Sequence, residues 1–221
     1  MHFLYPKNIS KIFIFSILSV LIVFLLDVGG FNYWLRSGIK IIVFGGCTLI
    51  CAKPNLKSIF SFKFTKDFFV SVFLGVLGMC LFWGLVYLLT PILDMSKLTS
   101  GLSHIAVDIE NYWYVTAYIV LINSFLEEMF FRGMCHLKLA ENSNETFACC
   151  FSSLLFSVYH LTMISNIMHP GLTLLCLIGL FFVGLIFIWL NKKTKNIYNS
   201  WIVHACANIA INVVGWYFLN I

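Results

Sequence analysis

The sequence predicts an all-α fold, a polytopic transmembrane helical bundle of about seven spans. Of the 221 residues, 61% are apolar and only 10% are charged, and the mean hydropathy is +0.95. A water-soluble domain of this length does not need so much apolar surface. Several apolar runs also approach the roughly 20 residues that a helix needs to cross the hydrocarbon core of a bilayer.

Seven segments are candidate spans: 12–28, 35–52, 68–90, 112–136, 147–168, 171–190 and 198–219. The second is the weakest, because its uninterrupted core, IIVFGGCTLICA, is shorter than a full span. The distribution of positive charges nevertheless favours counting this segment as a span. With the N-terminus in the cytoplasm, eleven of the 14 Lys and Arg residues fall on the cytoplasmic side, and three, Arg36, Lys40 and Lys97, fall outside. Without that span, six positive residues would lie in the first external loop.

The longest polar stretch, 91–111, is predicted to be an external loop. It divides an N-terminal three-span part (1–90) from a C-terminal four-span part (112–221). The net charge of +5 is explained by cytoplasmic flanks that meet anionic lipid head groups, so no nucleic-acid partner is implied. The Phe-, Ile-, Lys- and Asn-rich composition suggests an AT-rich bacterial genome, and the expected location is then the bacterial plasma membrane. The eight cysteines form no CxxC pair, which argues against a zinc knuckle or a disulfide framework.

The fourth span contains three charges within the run NSFLEEMFFRG. Ionisable groups at membrane depth are costly, so they are functional candidates by default. Glu128 and Arg132 are four residues apart and share a helix face, where they can pair. Glu127 points about 100° away, without Arg132 as a direct partner, and is available for general acid or base chemistry. The alternative is that both glutamates join Arg132 and Asn123 in a polar network between helices that only stabilises the bundle.

Two further spans supply histidines. In the fifth span His160 follows Phe156 by four residues, and in the seventh span His204 and Asn208 share one helix face. At about 1.5 Å of rise per residue, Glu127, His160 and His204 lie in a similar depth band on the cytoplasmic side of the midplane. We therefore expect one shared cavity that faces the cytoplasmic half.

Other ionisable groups are expected to matter less. Apart from Asp27 at a helix end, those at membrane depth are predicted to fall only in the last four spans. His136 lies at the cytoplasmic end of the fourth span, and a solvated or interfacial position is expected for it. The other histidines outside the motifs are expected to be terminal or in loops.

The three patterns EExxxR, FxxxH and HxxxN, in this order on successive spans, resemble the motifs of the CPBP family. That family comprises the CAAX prenyl endopeptidases and the related bacteriocin-processing or immunity proteins, also called Abi proteins. The resemblance covers about residues 112–219, and the first three spans carry nothing diagnostic. It implies an intramembrane endopeptidase that hydrolyses a peptide bond of a membrane-associated, prenylated or leader peptide.

The resemblance also implies roles for single residues. Glu127 with His160 would activate a water molecule, and His204 with Asn208 would stabilise the oxyanion. Three residues would support the site: Glu128, Arg132 and Phe156. The implied partners are a peptide or protein substrate and membrane lipid.

Two questions stay open at this point. Glu127, His160 and His204 could ligate zinc, but HExxH is absent and the same side chains can act without a metal, which is slightly favoured. The protein could also be a non-catalytic immunity or peptide-binding protein that uses the same cavity. A proton-coupled transporter is less favoured, because no internal repeat is visible.

Overall fold

The computed structural model describes residues 7–52, 56–89, 109–166 and 168–219, and these ranges are helices joined by short connections without any strand. Eight helices are seen, in the order α1 (Lys7–Val28), α2 (Tyr33–Cys51), α3 (Leu56–Ile59), α4 (Lys66–Leu89), α5 (Tyr112–Lys138), α6 (Glu145–Ser165), α7 (Pro170–Asn191) and α8 (Tyr198–Leu219). The predicted all-α fold is confirmed. The predicted external loop falls mostly on residues 91–108, outside the described ranges.

Six of these helices are long and apolar enough to cross a membrane: α1, α2, α4, α5, α6 and α7. The weak second span is among them. Helix α8 has 22 residues, enough to cross, but it contains His204, Asn208 and Asn212 at four-residue spacing, which lowers its hydropathy. The protein is thus a multi-pass membrane protein with close to the seven predicted spans.

The outer surface of the bundle is apolar, as lipid contact requires. Large side chains such as Ile42 on α2, Leu88 on α4 and Leu175 on α7 are more than 60% exposed. Apolar surface of this extent is rare on a soluble monomer. A helix pairs most of its backbone groups within itself, which a hydrocarbon environment demands.

Small residues let the helices approach closely. A Cβ atom added to Gly75 of α4 would lie 2.8 Å from Cys206 Sγ of α8, and one added to Gly184 of α7 would lie 2.9 Å from Ser153 Cα of α6. A larger side chain would meet backbone at Gly184 and would force Cys206 to move at Gly75. Close packing at small residues is the usual way in which helices associate in membranes.

Helices α2 and α5 contain π-helical stretches beside their charged residues. In α2 the stretch is Ile41–Gly45, directly after Lys40. In α5, Tyr118–Asn123 and Met129–Lys138 flank the short α-helical turn Ser124–Glu128. The two helices meet where Phe44 stacks on Phe130, with ring centroids 4.0 Å apart. Wide π turns are frequent at functional sites, and here they surround the buried carboxylates.

Candidate active site

The centre of the bundle holds two carboxylates and two cations. Glu127 is 2% exposed, and Glu128 and Arg132 are fully buried. Glu128 Oε1 lies 3.2 Å from Arg132 Nη1, so the ion pair expected from the four-residue spacing is present. The guanidinium also lies over the ring of Phe156, 4.1 Å from its centroid. Arg132 therefore forms its ion pair within α5 and contacts α6 through the aromatic ring of Phe156.

Glu128 also binds His204. The Nδ1 atom of His204 lies 2.9 Å from Glu128 Oε1, and because a carboxylate only accepts, Nδ1 carries the proton. Trp201, one turn earlier on α8, donates from Nε1 to Ser124 Oγ at 3.0 Å. These two bonds fix the register of α8 against α5. As a result the Nε2 atom of His204 faces Glu127.

The two oxygens of Glu127 have different surroundings. Oε1 accepts hydrogen bonds from Asn123 Nδ2 at 2.7 Å and from the Tyr159 hydroxyl at 2.9 Å. Oε2 faces the imidazoles, 3.7 Å from His204 Nε2 and 4.0 Å from His160 Nε2. Both distances are too long for direct hydrogen bonds. The carboxylate of Glu127 is thus held in place through Oε1, while Oε2 faces the two imidazoles.

Lys40 is the fourth charge, and the sequence interpretation of it was wrong. Its Nζ donates to Asn123 Oδ1 at 2.7 Å and to the Tyr159 hydroxyl, and it lies 3.6 Å from Glu127 Oε1. Lys40 therefore does not lie in an external flanking segment, and it is in direct contact with the residues around Glu127. The expectation that membrane-depth charges other than Asp27 fall only in the last four spans fails at this residue.

One sequence signal could have revealed Lys40. It stands seven residues after Tyr33, the first residue of α2, and a lysine that far inside a span is a functional candidate in its own right. Tyr159 gave no comparable signal, because tyrosine is common in membrane helices. Its role follows from the turn of α6 that it shares with His160.

His160 has a defined tautomer in this geometry. Its Nδ1 lies 2.8 Å from the carbonyl oxygen of Phe156, which only accepts, so Nδ1 is the protonated nitrogen. A neutral His160 then turns the lone pair of Nε2 towards Glu127 Oε2. Two acceptors facing each other at 4.0 Å are suited to a bridging molecule with two donor hydrogens.

Asn208 lies one helical turn after His204, as its spacing predicts. Its described polar contact is with the carbonyl oxygen of Ile119 on α5, reached by Nδ2 at 3.5 Å. Asn212 follows and donates from Nδ2 to the carbonyl of Asn208 at 2.8 Å. Asn208 thus lies along the α5–α8 contact.

The three residues of the predicted zinc set lie near one another but not in a compact group. Glu127, His160 and His204 do not form a group in which all ligand atoms lie within 4.8 Å of one another; among the described residues, His136, Glu145 and Cys149 do. The three predicted ligands are therefore spread more widely than a preformed metal site requires. The zinc set stays a prediction.

A glutamate and two histidines thus converge at the centre of a bundle of membrane-spanning helices, and this cluster is the candidate active site. Residues 108–210 match the model of a family described as type II CAAX prenyl endopeptidase Rce1-like. This matched region of the chain is Rce1-like, consistent with the CPBP family, and the predicted resemblance is confirmed. No curated protein and no solved structure matched the chain. The family supports intramembrane endopeptidase activity in general, on peptide or protein substrates in membranes.

Proposed function

We propose that this protein hydrolyses a peptide bond of a membrane-associated peptide with a water molecule activated by Glu127 and His160. One observation carries the proposal: Oε2 of Glu127 faces Nε2 of both His160 and His204, while Oε1 is held by Asn123 and Tyr159. The family name directs attention to prenylated C-terminal peptides, and leader peptides are the second substrate class to test.

In the proposed reaction, the water donates one hydrogen to Glu127 Oε2 and the other to His160 Nε2. Its oxygen attacks the peptide carbonyl carbon and its proton passes to the carboxylate. The carbonyl π electrons move to oxygen and form the oxyanion. The C–N bond then breaks, and the leaving amine takes this proton from Glu127. General acid and base catalysis of this kind contributes roughly 100- to 10,000-fold in rate.

His204 and Asn208 are the proposed oxyanion donors. Glu128 accepts from Nδ1 of His204, so donation from Nε2 to the oxyanion requires a second proton on the imidazole. Asn208 donates from Nδ2 in place of its long contact with Ile119. Such donors act strongly here, because the surrounding helices exclude water and lower the dielectric constant.

Lys40 offsets the charge of Glu127, as Arg132 offsets that of Glu128. We expect Lys40→Met to slow cleavage roughly 10- to 100-fold, the equivalent of one lost hydrogen bond to a charged group. The variant removes a donor to Asn123 and Tyr159 and leaves the Glu127 carboxylate without a cation. The measurement is the kcat of peptide cleavage by purified protein.

The matched control is Lys193→Met, because Lys193 pairs with Asp67 at the surface and is 80% exposed in its side chain. It should cleave at the wild-type rate. Lys40→Arg should recover part of the lost activity, since it restores the charge. Equal cleavage rates for Lys40→Met and wild type would show that Lys40 does not contribute to catalysis.

A panel of membrane-tethered peptides tests the proposed function. Prenylated C-terminal peptides, leader peptides and unmodified controls are incubated with detergent-solubilised wild type and with His160→Ala, with and without a chelator. Cleavage by wild type that is lost in the variant supports the protease, and loss on chelation would establish a metal. Tight binding without cleavage by well-folded wild type would favour the non-catalytic peptide-binding or immunity protein.

A further inference from the structure

A second cluster of chemically reactive side chains lies at the loop between α5 and α6. His136 is nine residues after Glu127 on α5, roughly 13 Å further along the helix. His136 is only 2% exposed. It is therefore buried, and of the two positions expected from the sequence, solvated or interfacial, the solvated one is wrong. Across the loop, Glu145 and Cys149 lie one turn apart at the start of α6. The cluster is separate from the proposed catalytic centre.

The three side chains converge on one point. His136 Nε2 lies 3.3 Å from Glu145 Oε1, and Cys149 Sγ lies 3.7 Å from the same oxygen. All three ligand atoms are within 4.8 Å of one another. Nitrogen or oxygen at about 2.0–2.1 Å and sulfur at about 2.3 Å from a tetrahedral ion lie roughly 3.3–3.6 Å apart. The two separations from Glu145 Oε1, 3.3 Å to nitrogen and 3.7 Å to sulfur, are close to these values.

The types of ligand identify the class of ion. An imidazole nitrogen, a thiol sulfur and a carboxylate oxygen are the three donor types that Zn²⁺ takes in proteins, whereas Ca²⁺ and Mg²⁺ prefer oxygen alone. Glu145 is exposed and Cys149 is half-buried, so an ion can reach the cluster from the loop side. Three protein ligands leave a fourth position for water.

We propose that His136, Glu145 and Cys149 form a zinc site that clamps the ends of α5 and α6 together. On binding, the Cys149 thiol loses its proton to solvent and the thiolate, the carboxylate and Nε2 of His136 coordinate the ion. Helix α5 carries Glu127 and α6 carries His160, so the clamp fixes the two helices that supply the proposed base. The proposal does not depend on the proposed protease activity.

Cobalt binding tests the site directly, with Co²⁺ as a coloured substitute for Zn²⁺. Full-length protein in detergent is stripped with a chelator and titrated with Co²⁺ alone. Wild type should show a thiolate-to-cobalt charge-transfer absorption that saturates at one ion per chain and disappears when Zn²⁺ is added. His136→Gln should weaken binding by roughly 100-fold or more, because loss of a ligand exceeds the effect of losing an outer partner.

The adjacent cysteines provide the matched control. Cys149→Ser should abolish the charge-transfer band, whereas Cys150→Ser, which changes the exposed neighbour, should retain it. Both variants keep the helix and are checked by size-exclusion chromatography. Glu127→Gln should also retain the band. An absent band in wild type, a band that survives Cys149→Ser, or one that disappears in Glu127→Gln would each overturn the proposal.

Discussion

Glu127→Gln is expected to slow peptide cleavage by roughly 100- to 10,000-fold, the range that a positioned general base contributes. Glutamine has nearly the same shape, and its carbonyl oxygen can still accept from Asn123 and Tyr159. The amide cannot take a proton from water, so the loss falls on the chemical step. We expect a lower kcat with little change in KM.

The measurement compares initial rates of the purified wild type and variant on the best substrate of the peptide panel. Asp67→Asn is the control, because Asp67 is a carboxylate whose only described ion pair, with Lys193, is at the surface. It should retain the wild-type rate. Unfolding curves check that all three proteins are folded at the temperature of the assay. A Glu127→Gln protein that cleaves as fast as wild type would exclude Glu127 as the base.

Arg132→Met should have the largest effect on stability. The guanidinium is fully buried and lies 3.2 Å from Glu128. Removal of one partner from a buried pair leaves an uncompensated charge and typically costs about 3–5 kcal/mol. The stack on Phe156 is lost as well. We expect a clearly lower free energy of unfolding. We also expect a less well-positioned His204, because its Nδ1 binds the same Glu128 carboxylate.

Equilibrium unfolding by denaturant in a fixed detergent measures this loss. The double variant Glu128→Gln with Arg132→Met removes both charges and should recover part of the stability, because no buried charge is left unpaired. The difference between single and double variants isolates the ion pair from the lost packing. Wild-type stability in the single variant would show that Arg132 does not support the site.

Much of the site follows from spacing along single helices. The four-residue intervals that join Glu128 to Arg132 and His204 to Asn208 predict shared faces, and the angle between adjacent residues separates Glu127 from the pair. These relations are local, because they depend only on the geometry of one helix. The all-α class and the spans follow from composition and run length in the same way.

The contacts between helices could not be predicted in this way. Lys40 reaches Glu127 because α2 packs against α5 at Phe44 and Phe130, and nothing in the spacing of either helix sets that register. His136 is buried because Glu145 and Cys149 of α6 lie over it. The sequence shows that Lys40 and His136 are polar residues within or at the end of a membrane span. Only the packing of the helices decides which side chains each of them contacts.

The most direct test of the central claim is cleavage of a membrane-tethered peptide by wild-type protein in lipid vesicles made up in ¹⁸O-labelled water. Products are identified by mass spectrometry, with Glu127→Gln vesicles beside them. The account predicts one new C-terminus that carries a single ¹⁸O atom with wild type, and intact peptide with Glu127→Gln. Intact peptide with well-folded wild type, across every substrate class in the panel, would contradict it.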